Sequence, residues 1–204
     1  MKKLLIFLPI LLWGCMEEPE YVIPEPPPYN FTFQIDSALN GSGTKSLYKD
    51  KEGFYHLKMS EYNLQTFSRI TGIFLWNGKP NPRPSPVECW IEWKSSHYWV
   101  LNNKTNLFVV YKTYFNTFTG KLTTVELGTL KAQSNSLIPT VNSSSYPSST
   151  DGSINTIFAP IYYMIGDTIT VTAIAHIRKE IPTSKLFVIS VKDSIERKVR
   201  FICE

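Results

Sequence analysis

The residues best placed to do chemistry lie on one short segment, Val87–Trp93, which carries Glu88, Trp90 and Glu92 at alternate positions. Alternate side chains of an extended strand share a face, so these three should lie together on the face opposite Cys89. An indole between two carboxylates is typical of a surface that stacks a sugar ring or anchors a protein partner. We therefore predict a binding platform at Trp90; the alternative is that Trp90 covers the sheet or packs beneath a loop.

Catalysis by Glu88 and Glu92 is disfavoured by their spacing. Side chains four residues apart on a straight strand stand about 13 Å apart, whereas glycoside hydrolases place two carboxyls about 5 to 9.5 Å apart. His56, His97 and His176 each lie alone on a predicted strand. The sequence contains no metal-binding Cys/His spacing, serine-nucleophile elbow or phosphate-binding glycine loop. We expect a protein that is not an enzyme and has no cofactor and no metal.

The three cysteines fall into one N-terminal residue, Cys15, and two residues in the body of the chain, Cys89 and Cys203. Cys15 follows the apolar run Leu4–Trp13, which is shorter than the roughly 20 residues of a membrane-spanning helix and is typical of a signal peptide. Cys89 and Cys203 lie on the apolar faces of predicted strands. In an exported protein they are candidates for a disulfide, and two separate buried thiols are the alternative.

The tetrapeptide Leu12–Cys15 resembles the lipobox of bacterial lipoproteins, although Trp13 is bulkier than the small residues usual there. The resemblance implies cleavage before Cys15 and its acylation, and two or more acyl chains anchor a protein stably in a membrane. An uncleaved anchor or an ordinary signal peptide are the alternatives. The acidic run Met16–Glu20 is similar to the surface-export signal of Bacteroidetes lipoproteins, or is an ordinary solvated linker. Residues 1–14 are thus predicted to be a lipoprotein signal peptide, with the protein lipid-anchored in the outer membrane or at the cell surface.

Three Asp-(Ser/Thr)-apolar tripeptides are similar to the O-glycosylation motif of secreted Bacteroidetes proteins. The resemblance makes Ser37, Thr168 and Ser194 candidate glycosylation sites. It also implies an exported protein, in agreement with the signal peptide.

A proline-rich spacer precedes the predicted folded part. Val22–Tyr29 holds four prolines in eight residues, which favours extended polyproline II and excludes helix. Residues 15–29 are therefore predicted to be a tether with a reach of about 3 Å per residue. Residues 30–204 are predicted to form the folded domain.

Composition supports a globular domain and argues against nucleic-acid binding. The chain of 204 residues is 43% hydrophobic and 19% charged, which is too apolar for a disordered protein. Removal of Lys2 and Lys3 with the signal peptide lowers the formal net charge from +4 to +2. Because the net charge is low and the sequence has no run of basic residues, we expect no nucleic-acid partner.

Short strand patterns between turn residues dominate the folded part. A weaker helical spacing covers Ser60–Ile70, and the serine-rich segment Val141–Ser153 has no periodicity and is predicted to be an exposed, mobile loop. About ten strands at this spacing predict an all-β protein with an antiparallel sandwich or barrel. The predicted strands are Phe31–Ile35, Phe54–Met59, Ile70–Trp76, Val87–Trp93, Tyr98–Leu101, Leu107–Phe115, Lys121–Leu127, Thr168–Ile177, Lys185–Val191 and Lys198–Cys203.

Two stretches resemble bacterial Ig-like domains. Thr150–Gly152, Asn155–Pro160 and Gly166–Ala173 are similar to the second half of that family, and Arg69–Pro80 is similar to its first strands. The resemblance covers about residues 69–201 and implies an antiparallel Ig-like β-sandwich with extra N-terminal strands. It also implies an adhesive or spacer role. We expect a membrane-anchored, non-catalytic binding or assembly module with a glycan or protein partner. A carbohydrate-binding lipoprotein of a glycan-utilisation system is the alternative, and an enzyme of unknown class is the outside alternative.

Overall fold

The computed structural model describes residues 30–80, 87–131, 137–182 and 188–204, with backbone alone at 179–182 and 188–192. The predicted signal peptide, Cys15 and the tether lie outside the described residues. The described part contains one 3₁₀ turn, Tyr162–Met164, and no helix long and apolar enough to cross a membrane.

Eleven strands account for most of the described residues, so the predicted all-β class is confirmed. They are β1 (Phe31–Asn40), β2 (Phe54–Leu57), β3 (Ser68–Trp76), β4 (Val87–Ser95), β5 (His97–Asn102), β6 (Leu107–Asn116), β7 (Lys121–Leu130), β8 (Ser144–Ser145), β9 (Ser153–Phe158), β10 (Thr168–Pro182) and β11 (Val188–Cys203).

Two sheets face each other across one core. The first has the strand order β1-β3-β9 and the second β2-β11-β10-β4-β8. Phe158 of β9 stacks on Phe201 of β11 with ring centroids 4.2 Å apart, which joins the two sheets. Strand β10 contributes the buried face that its alternation predicts, because alternate side chains of a strand point the same way. Its buried residues are Ile169, Val171, Ala173, Ala175 and Ile177.

The N-terminal strands are integral to both sheets. Strand β1 pairs antiparallel with β3, whereas β2 lies parallel to β11 with Tyr55 opposite Phe201. The second sheet is therefore mixed, with this parallel pair beside the antiparallel pairs that the sequence predicts. A parallel pair needs a long crossover connection, and here the chain between β2 and β11 carries strands β3 to β10.

Two local predictions are wrong. The helical spacing over Ser60–Ile70 does not produce a helix, because β3 begins at Ser68 and buries every second residue from there to Phe74. The segment Val141–Ser153 is not simply exposed, since Val141 is buried and β8 pairs with β4. It covers the edge of β4, whose backbone donors and acceptors would otherwise lack partners.

Of the two alternatives for Cys89 and Cys203, the structure shows two separate buried thiols and no disulfide. Register explains why, because Cys89 lies opposite Ile177 and the residue before Cys203 lies opposite Thr168. These positions on β10 are about 30 Å apart at about 3.3 Å per residue, and a disulfide joins Cα atoms about 4.4 to 6.8 Å apart. Burial raises the pKa of each thiol to about 12.

Candidate functional site

An open groove lies where β2 runs beside the end of β11. Its volume is about 830 Å³, within the usual range of about 300 to 1,000 Å³ for ligand sites. Two exposed rings line it, Tyr48 at 68% exposure and Phe67 at 46%. His56 and Glu204 also line the groove and provide polar groups, and we call this set of four residues the aromatic groove.

The imidazole of His56 is held between two carboxylates. Its Nδ1 lies 2.5 Å from Oε1 of Glu204 and its Nε2 lies 3.3 Å from Oδ2 of Asp50. Both ring nitrogens donate only when the ring is protonated. The hydrogen bond to Glu204, followed by that to Asp50, accordingly raises the pKa of His56 above its ordinary value. The ring centroid of Tyr48 lies 5.2 Å from that of the imidazole, so an aromatic ring packs directly beside this polar cluster.

Backbone pairing fixes both carboxylates. Asp50 accepts hydrogen bonds from the backbone N–H groups of Glu52 and Phe54 through Oδ1, which leaves Oδ2 for His56. The N–H of Phe54 is the main cause of the lowered pKa of Asp50. Glu204 donates its N–H to the carbonyl of Leu57, so the end of β11 holds this side chain beside β2.

A second depression of about 490 Å³ adjoins the groove and shares Phe67 with it. Tyr62 lines this depression and is 99% exposed. The segment that carries both rings is fixed by buried Gln65, whose amide donates to the carbonyls of Ile138 and Ala159 and accepts from the N–H of Ile138. Two adjoining depressions are therefore lined by three exposed rings, those of Tyr48, Phe67 and Tyr62. The bonds of Gln65 hold the segment that carries Tyr62 and Phe67.

The predicted platform residue Trp90 lies on the outer face of β4, as the alternation indicates, and is 37% exposed. Glu88 and Glu92 share that face. His176 on β10 stacks on the indole with ring centroids 5.0 Å apart, and its Nε2 lies 2.9 Å from Oε2 of Glu92. One ring face of Trp90 is therefore occupied by a neighbour. A ligand-binding role for Trp90 stays a prediction.

His97 lies in a separate, buried cluster at the start of the third sheet, β5-β6-β7. Its Nε2 is 3.4 Å from Oδ2 of Asp167, which also pairs with Lys112 on β6. Burial lowers the pKa of His97, which favours the neutral ring. Ser96 binds β10 beside this cluster, accepting from the N–H of Thr170 through its hydroxyl. The cluster thus attaches the third sheet to the sandwich.

The three histidines lie on three different strands, β2, β5 and β10, as the sequence predicts, and the packing of the elements gives each an acidic neighbour. Each of the three contacts at least one carboxylate, and each of those carboxylates comes from another element. Of the candidate glycosylation sites, Thr168 and Ser194 are exposed, whereas the hydroxyl of Ser37 is half-buried and shares a hydrogen bond with Thr71. Glycosylation of these three residues stays a prediction.

Within the described residues, no group of three or more His, Cys, Asp or Glu side chains is arranged to hold a metal ion. Comparison of the chain with protein-family profiles, curated proteins and solved structures found no match. The resemblance of residues 69–201 to Ig-like domains therefore stays a prediction. Among the described features, the aromatic groove is the best candidate for a binding site.

Proposed function

We propose that the protein is a lipid-anchored envelope lipoprotein whose β-sandwich is a non-catalytic binding module, and that the aromatic groove binds a glycan. The observation that carries the proposal is the pairing of exposed rings, Tyr48 and Phe67, with the fixed polar cluster of His56 and Glu204 in one groove. The N-terminal sequence pattern around Cys15 supports the anchor.

A sugar ring matches this mixture of groups. Its C–H faces pack against aromatic rings, while its hydroxyls need fixed donors and acceptors. Tyr48 and Phe67 offer the rings, and the second carboxylate oxygen of Glu204 is free of the His56 contact that engages Oε1. Phe67 is shared by the adjoining depression that holds Tyr62, so a chain of sugars fits better than a single one.

The arrangement favours binding over hydrolysis. A glycoside hydrolase places its two carboxyls on either side of the scissile bond. Asp50 and Glu204 instead lie on either side of the same imidazole, where each stabilises protonated His56. Because both carboxylates contact His56, they do not lie on opposite sides of a bound substrate, and the groove is better suited to binding than to hydrolysis.

The test is a glycan array probed with the full chain in detergent, followed by titration of each hit against variants. We expect Tyr48→Ala and Phe67→Ala each to weaken binding about tenfold, which corresponds to about 1.4 kcal/mol. Tyr146→Ala is the matched control, because Tyr146 is also 68% exposed but does not line the groove. Binding that is absent, or lost equally in the control, would overturn the proposal.

The outer face of β4 supports a second candidate function, the assembly of a protein partner. Trp90 is partly exposed there among Glu88, Lys94 and Arg178, and a large aromatic within a charged rim is typical of an interface anchor. Trp90→Ala should leave glycan affinity unchanged while it weakens capture of a partner. Loss of glycan affinity in Trp90→Ala would instead favour the platform predicted from the sequence.

A further inference from the structure

The hairpin β6–β7 ends in an exposed apolar surface. Phe118 in the turn is 100% exposed, Leu122 is 74% exposed and Phe115 is 60% exposed. Phe115 and Leu122 are directly opposite in the register, so their side chains share one face beside the turn. We call these three residues the apolar tip. Side chains of this size rarely cluster in water without something to cover them.

Three backbone N–H groups of the turn are already hydrogen-bonded within it. Oδ1 of Asn116 accepts from the N–H groups of Phe118 and Thr119 at 2.9 and 3.1 Å. The carbonyl of Asn116 accepts from the N–H of Gly120 at 2.9 Å. An N–H group that enters an apolar medium without a partner costs several kcal/mol, so the bonds at Phe118, Thr119 and Gly120 remove three such costs when the turn leaves water.

The charged side chains near the tip of the hairpin are all basic. Residues 107–125 contain Lys112 and Lys121 and no acidic residue. Lys112 pairs with Asp167 at the base of the hairpin, whereas Lys121 directly follows the turn. The exposed end of the hairpin thus combines apolar side chains with a positive charge behind them, which complements an anionic headgroup layer above hydrocarbon.

We propose that the apolar tip inserts into the surface of an anionic phospholipid bilayer. Phe118 enters deepest, Phe115 and Leu122 follow, and Lys121 stays at the level of the phosphates. Insertion of about 5 to 10 Å, typical of interfacial elements, accommodates the turn and the first strand pair. None of these observations involves the N-terminal segment, so the proposal does not depend on the lipid anchor.

A dye attached at the turn tests insertion directly. Thr119→Cys in the full chain places one reactive thiol beside the tip, because Cys89 and Cys203 are buried. Thr105→Cys is the matched control, since it lies in the polar turn at the opposite end of the same sheet. The unsubstituted chain, labelled in parallel, gives the background from Cys15. Vesicles of phosphatidylethanolamine with phosphatidylglycerol should shift the emission at 119 to the blue and allow quenching by brominated lipid, with no such change at 105.

Equal responses at 119 and 105, or no quenching at 119, would overturn the proposal. A second experiment replaces Phe118, whose complete exposure means that Phe118→Asp should leave thermal unfolding unchanged. In the label assay, Phe118→Asp should reduce the quenched fraction at least about tenfold, and Tyr146→Asp should not change it. If Phe118→Asp leaves quenching intact but abolishes self-association or binding of a protein, the tip is a protein interface and the lipid proposal is wrong.

Discussion

Two tryptophans on one strand give a sharp test of the architecture. Trp90 and Trp93 both belong to β4 but lie on opposite faces, and their exposed fractions are 37% and 3%. Trp90 therefore exposes about a third more of its side chain than Trp93 does. A tryptophan side chain buries about 200 Å², so the additional buried area of Trp93 is worth about 1.7 kcal/mol of stability at about 25 cal/mol per Å². Trp93 also donates its indole N–H to the hydroxyl of Ser145, and its removal would leave a cavity between the sheets.

We therefore expect Trp93→Ala to lower the free energy of unfolding by about 4 kcal/mol, and Trp90→Ala to cost at least about 2 kcal/mol less. Urea denaturation followed by circular dichroism measures both values in the full chain. A domain of this size has a total stability of about 5 to 15 kcal/mol, so the two variants should differ visibly in their midpoints. Equal losses would refute the assignment of Trp90 to the outer face and Trp93 to the core.

Three other predictions concern single groups. The pKa of His56 is raised chiefly by Glu204, so the stability it contributes should be complete below about pH 6.5 and be lost as the pH rises through the raised pKa. Glu204→Gln should lower this pKa in an NMR titration, and an unchanged titration would contradict the pairing. Gly152→Ala should cost more than about 2 kcal/mol in thermal unfolding, because φ is +69° and the new Cβ would lie 2.1 Å from a carbonyl oxygen of β3. Gly78→Ala, with φ +70° and open space, should cost only about 1 kcal/mol, and equal losses would exclude the clash. Cys15→Ser should abolish acylation, and lipid mass that persists in mass spectrometry would disprove the anchor.

The parts of the fold that follow from local alternation could be predicted from the sequence. Val87–Ser95 buries and exposes successive residues as its pattern indicates, and Thr168–Ile177 likewise turns its apolar residues to the core. Alternation depends only on the geometry of one strand, so the buried face of a strand can be predicted without knowing which strands pair with it. Pairing and register depend on the whole sheet, which is why the distance between Cys89 and Cys203 could not be predicted.

The aromatic groove depends on how strands pair, and not on alternation within one strand. The four residues Tyr48, His56, Phe67 and Glu204 are far apart in the sequence or lie on different segments. The parallel pairing of β2 with β11 brings His56 beside Glu204, and the bond from the N–H of His56 to the carbonyl of Tyr48 holds Tyr48 next to them. Each residue alone gives an ordinary pattern: an exposed ring in a turn, a histidine on a short strand, a carboxylate after the last strand. His56 acquires its raised pKa only because Asp50 and Glu204 approach it from two sides. Trp90 is recognisable in the sequence because its charged neighbours are adjacent in the chain, whereas a site assembled by tertiary pairing leaves no comparable local pattern.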